Sequence, residues 1–495
     1  MSYIGRQLNL PASTVELTAN SAITAGKPCV IQADGDVAQV QTGLTGDPSV
    51  GTAVVWESAD QSTVKAVAYD TNAQKLVIAF RDTNNSNYGT AIVATITASD
   101  NSISFGTPVV WNSYDTTDNH NIAYDSTAQK VVIVARQNDT KGKAVVGTVS
   151  GTSISFGSVA EFASAVFQTE LKLGLVYDAS TDRTVIAYRN NSSADGEAIV
   201  GTVSGTSISF GTAVTFESAS SGINYIATAY DANAQKVVIA YQDLDDSSHG
   251  KAIVGTVSGT SISFGTATTF ESADTQHMSA TYDANAQKVA IFYQDRGNSH
   301  AGTGIVGTIS GTSISFGSPA TFLASQAWYM SSSYDSGSQK IVVIYSDRNT
   351  AGSNTWYGTL VVGTISGTSI SFGSPLVYEA AETSYSQDIA YDANAQRHGI
   401  IYSDAGNSYY GTAIVAEAVG TNLTSENFIG FAENDCTDNG LATIQLGGSV
   451  NDKQTGLTAG QTYFVQTDGT IGTTADSPSV TAGTAVSSTE ILVKG

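Results

Sequence analysis

The chain has 495 residues, of which 48 are glycine and only 13% are charged, and its formal net charge is −23. That acidic balance excludes the nucleic-acid backbone and an anionic membrane surface as partners. No apolar run approaches the ~20 residues that cross a bilayer as a helix, and two cysteines, Cys29 and Cys436, are too few for a disulfide scaffold.

In chain order, Met1-Ser-Tyr-Ile-Gly-Arg-Gln7 lacks an apolar stretch of signal-peptide length, so assembly in a cytoplasm is expected. Unpaired, mostly buried thiols are then the expectation, with a single bridge as the alternative. Residues 1–41 contain Ile23-Thr-Ala-Gly26 and Gln32-Ala-Asp-Gly35, which read as part of a small β domain. Ser49-Val-Gly-Thr-Ala-Val-Val-Trp56-Glu-Ser58 follows, and from Tyr69 one pattern is written seven times. Its anchor is a Tyr-Asp pair at Tyr69, Tyr124, Tyr177, Tyr230, Tyr282, Tyr334 and Tyr391, at spacings of 52 to 57 residues.

In the copy around Tyr230, Ile226 to Tyr230 forms a first strand, A. Asp231-Ala-Asn-Ala-Gln235 is a turn closed by side-chain-to-backbone hydrogen bonds. Lys236 to Tyr241, rich in β-branched and aromatic residues, is strand B, and a polar loop from Asp243 to Gly250 leads to strand C, Ala252 to Val257. Ser258-Gly259-Thr260 turns the chain into strand D, where Thr260-Ser-Ile-Ser-Phe264 alternates with a period of two. No segment shows a 3.6-residue period. Four short strands in each ~50-residue repeat predict an all-β fold, a seven-bladed β-propeller of four-stranded blades.

The phrase Ser-Ile-Ser-Phe-Gly ends at Gly106, Gly157, Gly211, Gly265, Gly317 and Gly373 and is missing after the last C strand, Thr412 to Glu417. Residues 49–58 match the second half of strand D elsewhere, as in Gly211-Thr-Ala-Val-Thr-Phe216-Glu-Ser218. They are expected to complete the last blade and leave no open edge strand. Beyond the repeats, Leu457-Thr-Ala-Gly460 with Gln466-Thr-Asp-Gly469 matches the phrases at 23–26 and 32–35 position by position. The propeller, 42–426, is therefore predicted to be inserted into a small β-barrel or sandwich-like domain formed by 1–41 and 427–495. The chain enters at a D strand and leaves at the end of a C strand, so the D–A and B–C connections lie on the face opposite its entry and exit.

The A–B turns and the Val-Gly-Thr and Ser-Gly-Thr-Ser phrases hardly vary among copies, whereas the B–C loops and D–A linkers differ sharply. A constant frame with varied connections on one face suits binding. Trp56 and Trp111 align with Phe162, Phe216, Phe270, Phe322 and Tyr378 and are read as packing between blades. Trp328, Tyr329, Trp356 and Tyr357 have no such counterparts and fall in the variable loops. With Arg348, Tyr88, Tyr385, Tyr409, Tyr410 and His300 they form the candidate ligand-binding set. Aromatic faces stack on sugar C–H groups while polar side chains bond hydroxyls, so the candidate ligand is a glycan. For any single residue, packing among the loops is the alternative.

No phosphate loop, paired-Cys knuckle or His-Glu-x-x-His motif occurs, and no catalytic residue, cofactor or metal is expected. Asp82, Asp243, Asp295, Asp347 and Asp404 stand near the ends of B strands, where a suitably spaced pair could cleave a glycosidic bond. Their recurrence at equivalent positions points instead to turn capping. Asp243-Leu-Asp245-Asp246 has ligands for Ca²⁺, with a solvated acidic loop as the favoured reading.

The flanking phrases just quoted, together with Phe428-Ile-Gly-Phe-Ala432, Gly440-Leu-Ala-Thr-Ile-Gln-Leu446 and Gly483-Thr-Ala-Val-Ser-Ser-Thr-Glu-Ile-Leu-Val493, resemble terminal domains of tailed-phage virion proteins. The central repeats resemble propellers inserted in tail-fibre, head-fibre or decoration proteins. The resemblance implies a virion structural protein, open to homo-oligomerisation, docked to other virion proteins through the small β domain. Its propeller would meet a host cell-surface glycan or receptor. A purely structural decoration protein and a polysaccharide-degrading enzyme are the alternatives.

Overall fold

The period-two alternation within each copy yields antiparallel strands in the order A, B, C, D. The structure is a computed structural model describing residues 13–19, 22–31, 35–40, 48–58, 65–115, 119–167, 173–348, 356–380, 383–418, 423, 427–437, 440–466, 469–475 and 479–494. Among these there is no α-helix. The chain divides into two compact units, 48–418 and 1–47 with 419–495.

Residues 48–418 form four five-stranded sheets and one of thirteen strands. In the copy around Tyr230, Ile223–Asp231 pairs with Lys236–Asp243, which pairs with His249–Ser258. That C strand then pairs with two successive stretches, Ser261–Phe264 and the start of Thr268–Asp283, so strand D is split. The split falls at the glycine of the repeated phrase. A Cβ on Gly265 would lie 1.9 Å from the carbonyl oxygen of Thr312 in the next copy. Only glycine lets the two backbones approach so closely.

Two further kinds of contact tie neighbouring repeats together, one of them built on a turn that each repeat folds for itself. The Asp of each Tyr-Asp pair folds its own turn: Asp231 Oδ1 accepts the backbone N–H of Ala234 at 2.8 Å, and Asp283 accepts from Asn285 and Ala286. The Tyr of the following copy accepts another N–H of that turn, as in Asn233 to Tyr282 and Asn285 to Tyr334, both 3.2 Å. An aromatic ring of strand D packs on a B-strand ring of the next copy, for example Phe216 on Tyr241 at 5.3 Å and Phe162 on Tyr188 at 5.6 Å. The same D-strand ring covers a C-strand glycine, as Phe162 covers Gly142. Trp56 packs on Phe80 at 4.6 Å in the same way.

These contacts also close the ring. Val54–Glu57 pairs with Ala413 to Gly411, and Ser49 and Val50 pair with Glu417 and Ala416. The N–H of Asn394 donates to the hydroxyl of Tyr69 at 3.3 Å, the same bond that joins every other neighbouring pair for which it is described. Buried Asp388 joins three repeats, accepting from the Val67 N–H at 2.9 Å and from the Ser331 hydroxyl.

The second unit has two five-stranded sheets around a core that includes Val30, Phe431, Tyr463, Val465, Ala482 and Ile491. Its halves repeat one hydrogen-bond pattern: Gly26 N–H to Ala432 O and Gly460 N–H to Ala485 O, then Ala432 N–H to Lys27 O and Ala485 N–H to Gln461 O. Cys29 and Cys436 are both free thiols, and burial pushes Cys29 up to about 12.

Candidate functional site

The longest B–C hairpin, Lys340–Arg348 against Trp356–Ser366, extends its pairing to Asp347 with Tyr357 and Arg348 with Trp356. The preceding D–A connection pairs with the end of this B strand, as Thr275 and Gln276 pair with Asp295 and Gln294 one repeat earlier. Gln326 meets Arg348, Ala327 meets Asp347 and Trp328 meets Ser346, after which Tyr329 and Met330 bulge out and pairing resumes at Ser331. Ala320–Asp335 is one 16-residue strand, as is Thr268–Asp283 in the repeat before. Trp328 and Tyr329 therefore stand on a strand rather than in the loop that the sequence suggests. The bulge puts Tyr329 at φ 51°, and Tyr225 and His277 have the same φ in the two preceding repeats. Bulges re-aim side chains, and here three consecutive ones bring rings together.

His277 is the hub of the cluster. Its ring centroid lies 4.6 Å from Tyr329, 4.8 Å from Trp328 and 5.0 Å from Tyr225. Trp356 continues the run, 5.3 Å from Trp328 at 62° and 6.0 Å from Tyr329. Arg348 sits over the Trp356 ring at 5.4 Å, and His300 stacks on Trp328 at 6.2 Å and 11°. Tyr225 and His277 form a buried floor, whereas Trp328, Tyr329, Trp356, His300 and Arg348 are half-buried. Burial, and secondarily the charge of Arg296, holds His277 down at about 3, so it is neutral. Both its ring nitrogens and Trp328 Nε1 are buried without a hydrogen-bond partner. The assembly offers packed aromatic faces beside a guanidinium, which suits stacking and hydrogen bonding to a polar, C–H-rich ligand.

The sequence-predicted residues divide accordingly. Trp328, Tyr329, Trp356, Arg348 and His300 are brought together. Tyr357 follows Trp356 on an extended strand, where successive side chains face opposite sides. Tyr88, Tyr357 and Tyr410 occupy one register position, paired with Asp82, Asp347 and Asp404, and so do have counterparts in other copies. Tyr88 and Tyr410 stand in other sheets, and Tyr409 in the turn before Tyr410. The side chain of Tyr385 lies outside the described residues. Tyr225 and His277 were missed, although their 52-residue spacing from each other and from Tyr329 was a usable signal.

Four of the five acidic residues at B-strand ends are engaged in turns, while Asp347 accepts the Ser325 hydroxyl at 3.3 Å. Asp82 accepts the N–H groups of Asn84 and Asn85, Asp243 that of Asp245, Asp295 that of Asn298 and Asp404 that of Asn407. Burial first, then Glu271 and Glu379 respectively, raises the carboxyls of Asp295 and Asp404. Asp245 holds Ser220 and Ser221, and Lys251 pairs with Asp243 at 2.7 Å and Asp246 at 2.9 Å. Among the described residues no group of three or more His, Cys, Asp or Glu could hold a metal ion.

No family model and no curated relative matches the chain. The lectin BP39L of Burkholderia pseudomallei matches over 74% of this chain and 99% of its own, with a TM-score of 0.56 at 10% identity. The β-propeller domain of Cps50 (Swd1) from Myceliophteria thermophila matches over 74% and 99%, with a TM-score of 0.48 at 8% identity. An Aleuria aurantia lectin mutant in complex with Fucalpha1-6GlcNAc matches over 66% and 98%, with a TM-score of 0.40 at 14% identity. The all-β unit of repeats is a β-propeller, with four-stranded antiparallel repeats as its building blocks.

Proposed function

We propose that the propeller, which we read as seven-bladed, binds a glycan at the cluster of Trp328, Tyr329, Trp356, His300 and Arg348. The observation that carries this is a half-buried aromatic group with a guanidinium over one ring, gathered where the bulges of three consecutive repeats meet the end of the longest hairpin. The Burkholderia protein of the same fold is a lectin, which supports the reading. Engagement of Asp82, Asp243, Asp295 and Asp404 as turn caps favours binding over hydrolysis. On the resemblance of the flanking phrases, the setting we propose is a phage virion, with the small β unit as the anchor to other virion proteins and a host-surface glycan as the target. A single weak site gains strength there by multivalency.

A glycan array, followed by adsorption to candidate host cells, tests this with wild type and Trp356→Ala. Loss of one stacking ring and of the seat of Arg348 should weaken binding at least tenfold, with the folded state checked by circular dichroism. Full binding by the folded variant would remove these residues from the site. Absence of any glycan or cell that binds wild type would favour a purely structural role.

A further inference from the structure

At all but one boundary between repeats, a D-strand ring packs on a B-strand ring: Trp56 on Phe80, Phe162 on Tyr188, Phe216 on Tyr241, Phe270 on Tyr293, Phe322 on Tyr345 and Tyr378 on Tyr402. Three of these boundaries add a tyrosine hydroxyl donating to a D-strand carboxylate, Tyr241 to Glu217, Tyr293 to Glu271 and Tyr402 to Glu379. The exception lies between the first two repeats. Ala135 takes the B-strand ring position and Asn112 takes the Glu position. Trp111, in one core cluster with Ala135, instead meets the edge of His120 at 6.0 Å and 80°.

This replacement leaves polar atoms stranded. Trp111 is 5% exposed, Asn112 4% and His120 0%. Trp111 Nε1, Asn112 Nδ2 and both ring nitrogens of His120 are buried without a hydrogen-bond partner. Leaving such groups unsatisfied is costly, so four such atoms on Trp111, its chain neighbour Asn112 and the ring that Trp111 meets, His120, call for an occupant. The indole Nε1 and the amide Nδ2 can only donate, and neutral imidazole donates once. Arg81 stands in the same cross-strand row, paired to Gly89, which is paired to Asn112. The carboxylate carried by other boundaries at this position is gone. We propose that Trp111, Asn112 and His120 bind a small monoanion, halide or carboxylate in type, between the first two repeats, at a site separate from the aromatic cluster.

Crystals of the full chain grown in bromide test the site directly. The expected result is an anomalous peak within hydrogen-bond reach of Asn112 Nδ2 and Trp111 Nε1. Calorimetric unfolding at fixed ionic strength, with gluconate exchanged for bromide or for formate, adds a solution readout. The wild-type midpoint should rise by roughly 2 °C per tenfold in the bound anion above its Kd. A response to formate alone assigns a carboxylate, and one to bromide a halide. The double variant Asn112→Glu/Ala135→Tyr rebuilds the arrangement of the other boundaries and should fold while losing the response. Ordered water alone at the site, with no response to either anion, overturns the proposal, as does an unchanged response in the folded variant. If the variant fails to fold, the wild-type anomalous map and midpoints decide.

Discussion

His277→Phe separates the electrostatics of the aromatic floor from its packing. His277 is 1% exposed, and burial holds it at about 3 rather than its ordinary 6.5. Phe keeps a ring between Tyr225, Trp328 and Tyr329, and the tyrosines at 225 and 329 show that an aromatic side chain accepts the required φ of 51°. The sign follows from linkage. As pH falls below 6.5 the unfolded chain takes up a proton at this position and the folded chain does not, so stability is lost between 6.5 and about 3. Between pH 7.5 and 5.0 the imidazole should remove about 2 kcal/mol that the variant keeps. Urea unfolding followed by tryptophan fluorescence measures this cleanly, because Trp56, Trp111, Trp328 and Trp356 all lie in the unit 48–418. Other groups titrate equally in both proteins and cancel. An identical change with pH in the two proteins would refute a neutral, desolvated His277.

Other expectations are as direct. Tyr69→Phe removes the hydroxyl that accepts from Asn394 and should cost about 1 kcal/mol in denaturant unfolding. Burial first, then Asp392, pushes the Tyr69 phenol up to about 12. Its neutral form stabilises the fold fully below pH 10, and that contribution fades as pH rises toward 12, so the wild-type advantage should shrink in alkali. Gly142→Ala would place a Cβ 2.3 Å from the Phe162 ring and should cost about 1–3 kcal/mol with an unchanged denaturant slope. Asp388→Asn weakens the acceptor shared by Val67 and Ser331 and should lower stability by about 2–3 kcal/mol in the same assay.

The repeated strands were legible because a period of two and a fixed Tyr-Asp anchor are local signals. The matching phrases at 49–58 and 211–218 likewise correspond to strands that occupy the same half of strand D in different copies. Half of the candidate site was legible too, since Trp328, Trp356 and Arg348 stand out against the other copies. The remainder depends on non-local geometry. Whether Ala320–Asp335 runs on as one strand depends on an edge offered by residues twenty positions later. The alignment of Tyr225, His277 and Tyr329 shows in the sequence only as a 52-residue spacing, because residue type changes and what the three share is a backbone angle. His277 also looks like a surface loop residue in sequence, and only the packing of three neighbouring repeats buries it.

The closing of the last sheet by Ser49–Val50 and Val54–Glu57 has a consequence for how such chains can change. Ser49 and Glu417 are direct partners across an antiparallel pair, so their Cα atoms are about 5 Å apart. A 371-residue body, 48–418, thus begins and ends almost at one point, and to a host chain it demands no more room than the tip of a hairpin. Exchange of the whole body between hosts would leave a host's own strands undisturbed. Under the function proposed above, recombination at those two points would exchange the binding body in a single step.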